Sequence, residues 1–120
     1  MRAFDSLRGR REFTLVIRRG MRVPSEALTV YGFAPRSSAR PKLGIVIPKT
    51  VGKAVRRNTL RRRCKAILER LHWPPPHRWY VVACKPGAAG LSFSELKRNL
   101  MSALTVVQSA RPAVAQRGRR

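Results

Sequence analysis

The sequence predicts a single α+β domain in which a helix, two strands, a long helix, a third strand and a final helix follow one another. Three observations carry this reading. The chain has 120 residues, the size of one compact domain. Its apolar content of 43% is ordinary for a folded protein, so its excess charge decorates a core rather than replacing one. Finally, the apolar residues recur with helical and strand periods in turn along the chain.

Taken in order, Phe13, Val16, Ile17 and Gly20 fall at i, i+3, i+4 and i+7 and mark a short amphipathic helix from Arg10 to Arg19, with Gly20 placed as a left-handed cap. Pro24 and Ser25 break the chain before Leu28–Phe33, which alternates as a strand does. Leu28 and Val30 face one side; Thr29, Tyr31 and Phe33 face the other. A loop from Pro35 to Pro41 leads to a second strand, Leu43–Ile47, and that order suggests a hairpin. After Pro48 comes a basic turn with one glycine, then the longest helical pattern, Ala54 to Leu71, whose apolar stripe is Leu60, Cys64, Ile67, Leu68 and Leu71. Trp73 and the prolines 74–76 end it, since proline lacks the backbone donor.

Trp79–Cys84 is a continuous apolar run, read as a strand buried on both faces. Ser92 and Glu95 have capping-box spacing, Leu91 and Leu96 that of a hydrophobic staple, and Phe93, Leu96, Leu100, Ala103, Leu104 and Val107 form the buried face of the last helix. The pattern places the folded domain at residues 1–108 and a basic, disordered tail at 109–120. There is no internal repeat.

The charge balance is extreme: 27 Lys and Arg against five acids, a formal net charge of +22. Such a surface repels itself unless a polyanion supplies counter-charge; nucleic acid is the commonest, and an anionic membrane surface is the competitor. No apolar run approaches the roughly 20 residues needed to span a bilayer. The first eight residues also lack the apolar stretch of a secretory signal, which predicts a cytoplasmic protein. Cys64 and Cys84 read as buried reduced thiols. His72 and His77 flank a proline run rather than completing a zinc site.

The candidate chemistry is concentrated between Lys49 and Arg70, where Lys49, Lys53, Arg56, Arg57, Arg61, Arg62, Arg63, Lys65 and Arg70 stand against the single acid Glu69. On a regular helix Asn58, Arg61, Arg62 and Lys65 lie roughly opposite the apolar stripe. Like charges on one helix face cost a few tenths of a kcal/mol per neighbouring pair, a penalty that bound phosphates reverse. Asn58 adds an uncharged donor and acceptor for a ribose hydroxyl or base edge. On the strand, Tyr31 and Phe33 offer a stacking platform for unpaired bases, worth about 1–3 kcal/mol per base. Phe13 and Phe33 read equally well as core residues. The acids are scattered and no two share a motif, so the chain is not expected to hold catalytic residues of its own.

The run Lys49-Thr50-Val51-Gly52-Lys53-Ala54-Val55-Arg56-Arg57-Asn58-Thr59-Leu60-Arg61-Arg62 resembles the signature of bacterial ribonuclease P proteins, a basic loop with a glycine followed by an Ala-Val-x-Arg-Asn-Arg-(Ile/Leu)-Lys-Arg helix. Glu12-Phe13 with Gly20 seven residues on, Leu43-Gly44 and Lys85-Pro86 agree with that family, so the resemblance runs from Leu7 to Val107. Thr59 departs from it, standing where Arg or Lys is usual.

The resemblance implies an αβββαβα fold with a central, mostly antiparallel sheet and a left-handed β-α-β crossover, similar to ribosomal-protein-like RNA-binding domains. It also implies an accessory role in an endoribonuclease that removes the 5′ leader of precursor tRNA, with the catalytic centre in an RNA partner and Mg2+ held mainly by that RNA. By position, Lys49, Lys53, Arg56, Arg57, Asn58, Arg62 and Arg63 would contact the catalytic RNA, while Phe13, Thr29, Tyr31, Arg61 and Lys65 would line the path of the precursor tRNA leader. No obligate protein partner is evident from the sequence. A ribosomal or RNA-chaperone protein and a non-specific DNA-compacting protein share the charge and are the competing classes.

Overall fold

The computed structural model describes residues 5–7, 9–35, 41–70 and 79–109. Its elements are β1 (Asp5–Ser6), α1 (Gly9–Arg19), β2 (Met21–Pro24), β3 (Leu28–Phe33), β4 (Lys42–Val46), α2 (Ala54–Arg70), β5 (Trp79–Cys84) and α3 (Phe93–Ser109), with short 3-10 turns at Lys49–Val51 and Pro86–Gly90. Setting the two-residue β1 aside, the order is the αβββαβα expected.

The five strands form one mixed sheet in the order β1-β4-β5-β3-β2. β5 occupies the centre, antiparallel to β3 and parallel to β4. The antiparallel ladders are the longer, six and four residue pairs against five and two for the parallel ones. This arrangement corrects the expected β3–β4 hairpin. β5 is apolar on both faces and gains a ladder on each side by inserting between them, with Val82 opposite both Val30 and Ile45. The hairpin actually present joins β2 to β3, and Ser25 closes it by donating its backbone N–H (2.7 Å) and its hydroxyl (2.9 Å) to the Leu28 carbonyl. Sequence reading missed β2 because Pro24 looked like a break. At the end of an edge strand, a residue without a backbone donor costs nothing.

Two apolar layers sandwich the sheet. Leu28, Val30, Ile45, Tyr80 and Val82 pack under the stripe Leu60, Cys64, Ile67 and Leu68 of α2 and under Leu96, Leu100, Leu104 and Val107 of α3. On the opposite face Val16 of α1 packs with Leu7, Phe33 and Val81, and Phe13 and Tyr31 border that cluster. Cys64 and Cys84 are free and buried. The Cys64 thiol, hydrogen-bonded to Cys84 and shut away from water, is pushed well above the ordinary thiol range.

The capping box of α3 is formed in both directions: Ser92 N–H donates to Glu95 Oε1 at 2.9 Å, and Glu95 N–H donates to Ser92 Oγ at 3.1 Å. Phe93, expected in the buried face, is 40% exposed, because it is the first helical residue and precedes the turn that meets the sheet. Gly20 is not in a left-handed conformation. Its lack of a side chain is needed because an added Cβ would lie 2.4 Å from the Val16 carbonyl oxygen and 2.7 Å from that of Gly32. Leu71, the prolines 74–76, both histidines and the tail beyond residue 109 lie outside the described residues.

Candidate nucleic-acid interface

α2 leaves the sheet with cations on both flanks because its apolar stripe occupies one side only. What packs beside each flank divides those cations between two depressions.

The first depression lies where the open edge of the sheet meets α1 and α2. It has a volume of about 180 Å³ and is lined by Ser6, Leu7, Phe13, Leu43, Gly44, Ile45, Arg61, Lys65 and Glu69. Its depth depends on Gly44, since a Cβ there would come within 2.4 Å of the Phe13 ring and 2.9 Å of Leu7. β1 pairs only with Lys42 and Leu43, so the next outward carbonyl of β4, that of Ile45, would be left unpaired at the edge. Arg61 Nη1 donates to it at 3.1 Å. This corrects the expected orientation of Arg61: it lies at the border of the apolar stripe, half-buried and reaching over the sheet edge, whereas Asn58, Arg62 and Lys65 are exposed. Beside the cleft, Lys42 pairs with Glu12 at 3.0 Å and stands 4.9 Å from the centre of the Trp79 ring.

The structure thus brings Phe13, Arg61 and Lys65 together in one cleft. Thr29 and Tyr31 are placed further across the same sheet face as Phe13, Tyr31 opposite Val81 and Arg22 and half-exposed, Thr29 only 4% exposed.

The second depression is an open groove of about 820 Å³ between the start of α2 and the two 3-10 turns, lined by Val51, Gly52, Lys53, Val55, Arg56, Thr59, Arg63 and Ala89. Gly52 makes the bend into α2 with φ 157° and ψ −172°, a region that is essentially open to glycine alone. Arg57 locks the same bend: its Nε donates to the Gly52 carbonyl at 3.0 Å, leaving it half-buried. Lys49, Asn58 and Arg62 are exposed outside the groove. Thr59, which lines the groove, donates its hydroxyl to the Val55 carbonyl at 3.0 Å, so that proton is used within the helix.

Several lining residues escaped the sequence reading. Leu7 reaches the cleft only because β1 pairs with β4, which no local pattern announces, while Gly44 lines it from β4 and Glu69 follows Arg61 and Lys65 at i+4 spacing along α2. Arg10, Arg11, Arg18 and Arg19 line a further open depression of about 590 Å³ on the outer face of α1, which the helix's polar face forms. Among the described residues no group of three His, Cys, Asp or Glu side chains is placed to hold a metal ion, and no helix is long and apolar enough to cross a membrane.

A mixed five-stranded sheet with a basic helix, and cations divided between an aromatic cleft and a second groove, defines the class: a small, strongly cationic α+β protein. The family described as Ribonuclease P matches residues 1–108, and the chain belongs to that family. It is 36% identical over 123 residues to the ribonuclease P protein component of Thermobifida fusca, covering 96% of this chain and 84% of that one. Among solved structures, the RNase P protein of Staphylococcus aureus superimposes with a TM-score of 0.79 at 19% identity, covering 86% of this chain and 96% of that one. The RNase P protein of Thermotoga maritima gives 0.74 at 25% identity, covering 89% and 98%. Membership ties the chain to an endoribonuclease of tRNA processing and implies an RNA partner.

Proposed function

We propose that this chain is an accessory protein that holds the leader of precursor tRNA against the catalytic RNA of ribonuclease P in the cytoplasm. The observation that carries the reading is the division of cations about α2: Arg61 and Lys65 line the cleft with Phe13, while Arg56 and Arg63, with Lys53 just before the helix, line the groove on the other flank. One helix can then touch two RNA segments at once. The cleft, with Tyr31 farther across the sheet, suits an extended single strand, which needs an aromatic surface for bases and spaced cations for phosphates. The groove, with Arg57 fixed at the Gly52 bend beside it, suits the structured RNA, and Lys49, Asn58 and Arg62 are exposed nearby for further contacts with that RNA.

Catalysis belongs in this reading to the RNA partner. Magnesium held by that RNA would supply charge neutralisation and activation of water at the scissile phosphodiester. The protein screens the repulsion between two polyanions and fixes the leader in an extended path, an orientation effect on a reaction whose chemistry lies elsewhere. Arg57 and Arg61 each spend one donor on a backbone carbonyl and retain further guanidinium N–H groups for phosphate.

Cleavage of precursor tRNA by the cognate RNA at low magnesium, with and without the protein, tests this directly. The expected result is cleavage at the mature 5′ end only when the protein is added, and none by the protein alone. Tyr31→Ala should weaken binding of the precursor and spare mature tRNA. Equal weakening of both would remove the leader from the reading, and failure to stimulate cleavage despite tight RNA binding would favour a chaperone.

A further inference from the structure

The groove beside the start of α2 has a wall that phosphate binding does not explain. Val55 is 79% exposed on a helix whose neighbouring exposed residues are Arg56, Asn58 and Arg62. Thr59, one turn on, lines the same groove with its hydroxyl proton committed to the Val55 carbonyl. Ala89 adds a methyl from the turn opposite, while Lys53, Arg56 and Arg63 supply cations to the same groove. A duplex backbone held at this place would engage the cations and leave the methyl wall wet. A nucleotide with its base free uses both. The volume of about 820 Å³ falls within the range of small-ligand sites, roughly 300–1,000 Å³. A long basic side chain at position 59 would project into this space; threonine leaves it open.

We propose that this groove is a pocket for one unpaired nucleotide of an RNA, the base lying on the wall formed by Val55, Thr59 and Ala89 and the phosphates reached by Lys53, Arg56 and Arg63. The proposal rests on the reading of α2 as an RNA-binding helix and deepens it: the ligand class on this flank is an extruded nucleotide rather than a paired strand. The apolar contact contributes affinity that salt does not screen, and the cations contribute the part that it does.

Methyl-resolved NMR of the full chain separates the possibilities with three probes: uridine 5′-monophosphate, ribose 5-phosphate and a short RNA duplex. The expected result is that the nucleotide shifts the Val55, Thr59 and Ala89 methyls through its ring current, and that ribose 5-phosphate leaves them in place. Equal shifts with ribose 5-phosphate would reduce the groove to a phosphate site and overturn the proposal. So would shifts with the duplex alone, or no shift with any probe.

As a second measurement, Val55→Ser should lower the affinity for uridine 5′-monophosphate, read from the Ala89 methyl shift in this groove, by about fivefold, as expected for the loss of a methyl contact, with the salt dependence unchanged. Arg63→Gln should flatten that dependence. Because Val55 is exposed, its substitution leaves the core intact. Neither titration contains a catalytic RNA, so either can fail while protein-dependent cleavage succeeds, and the reverse.

Discussion

Arg61 Nη1 and the carbonyl oxygen of Ile45, 3.1 Å apart, join the basic helix to the open edge of the sheet just where β1 stops pairing. The contact makes Arg61 a structural residue as well as a cleft residue. Arg61→Met keeps the aliphatic stem and deletes the donor. It should cost about 1–2 kcal/mol, the usual range for a hydrogen bond made by a charged group at a site that water can partly reach. Urea denaturation reads this as a lower midpoint with an unchanged slope. Stability equal to that of the parent would mean that water replaces the guanidinium at the sheet edge without loss.

The capping box of α3 should give the chain an acid-sensitive element. The Ser92 backbone N–H, and after it the Ser92 hydroxyl, hold the Glu95 carboxyl below the ordinary carboxylate range, with Arg98 adding a smaller effect of the same sign. A group whose native value is depressed contributes stability that is complete above its unfolded value, about 4.3, and that fades as pH falls through the native one. Glu95→Gln keeps an acceptor oxygen but cannot titrate. The parent should therefore be the more stable of the two at pH 7, with the gap closing as the pH is lowered toward 3. A gap independent of pH would place the contribution in packing rather than charge.

Two glycines carry different constraints, and alanine substitution should rank them. At Gly20 the added Cβ meets backbone, the carbonyl oxygens of Val16 and Gly32 at 2.4 and 2.7 Å. At Gly44 it meets side chains, the Phe13 ring at 2.4 Å and Leu7 Cδ1 at 2.9 Å, which can rotate away. Gly20→Ala should cost more than the roughly 1–3 kcal/mol typical of overpacking, and Gly44→Ala should fall within it. Gly44→Ala should also weaken leader binding, because the displaced Phe13 ring would fill the cleft. Comparing the two unfolding midpoints with precursor affinity separates the effects.

What could be read from the sequence was local. Ser92 and Glu95 lie three residues apart and satisfy each other, so their spacing sufficed. The unbroken apolar run of β5 told that both its faces are covered, but not by which strands. Its insertion between β3 and β4 joins residues far apart in the chain, and the assumption that consecutive strands pair gave the wrong neighbours. β2 was lost because four residues ending in proline carry little periodic signal. The same limit governs the site. The cations of α2 were legible as charge, but the orientation of Arg61 depends on an unpaired carbonyl in β4. The hydroxyl of Thr59 is spent within its own helix, which identity alone does not reveal. Family resemblance recovered the order of the elements that periodicity left open.

Lys65 and Arg63 stand two residues apart on α2 yet border different depressions, and this separation should appear in binding. Each phosphate contact contributes close to one unit of slope in the dependence of affinity on salt. Lys65→Gln should therefore lower the slope by about one for precursor tRNA carrying its leader, with little change for the catalytic RNA. Arg63→Gln should do the reverse. Both side chains are exposed and neither supports the core, so the variants should keep the stability of the parent. If each substitution weakened both RNAs alike, α2 would act as one undivided cationic surface. The assignment of its two flanks to two RNA segments would then be wrong, whatever the shape of the clefts.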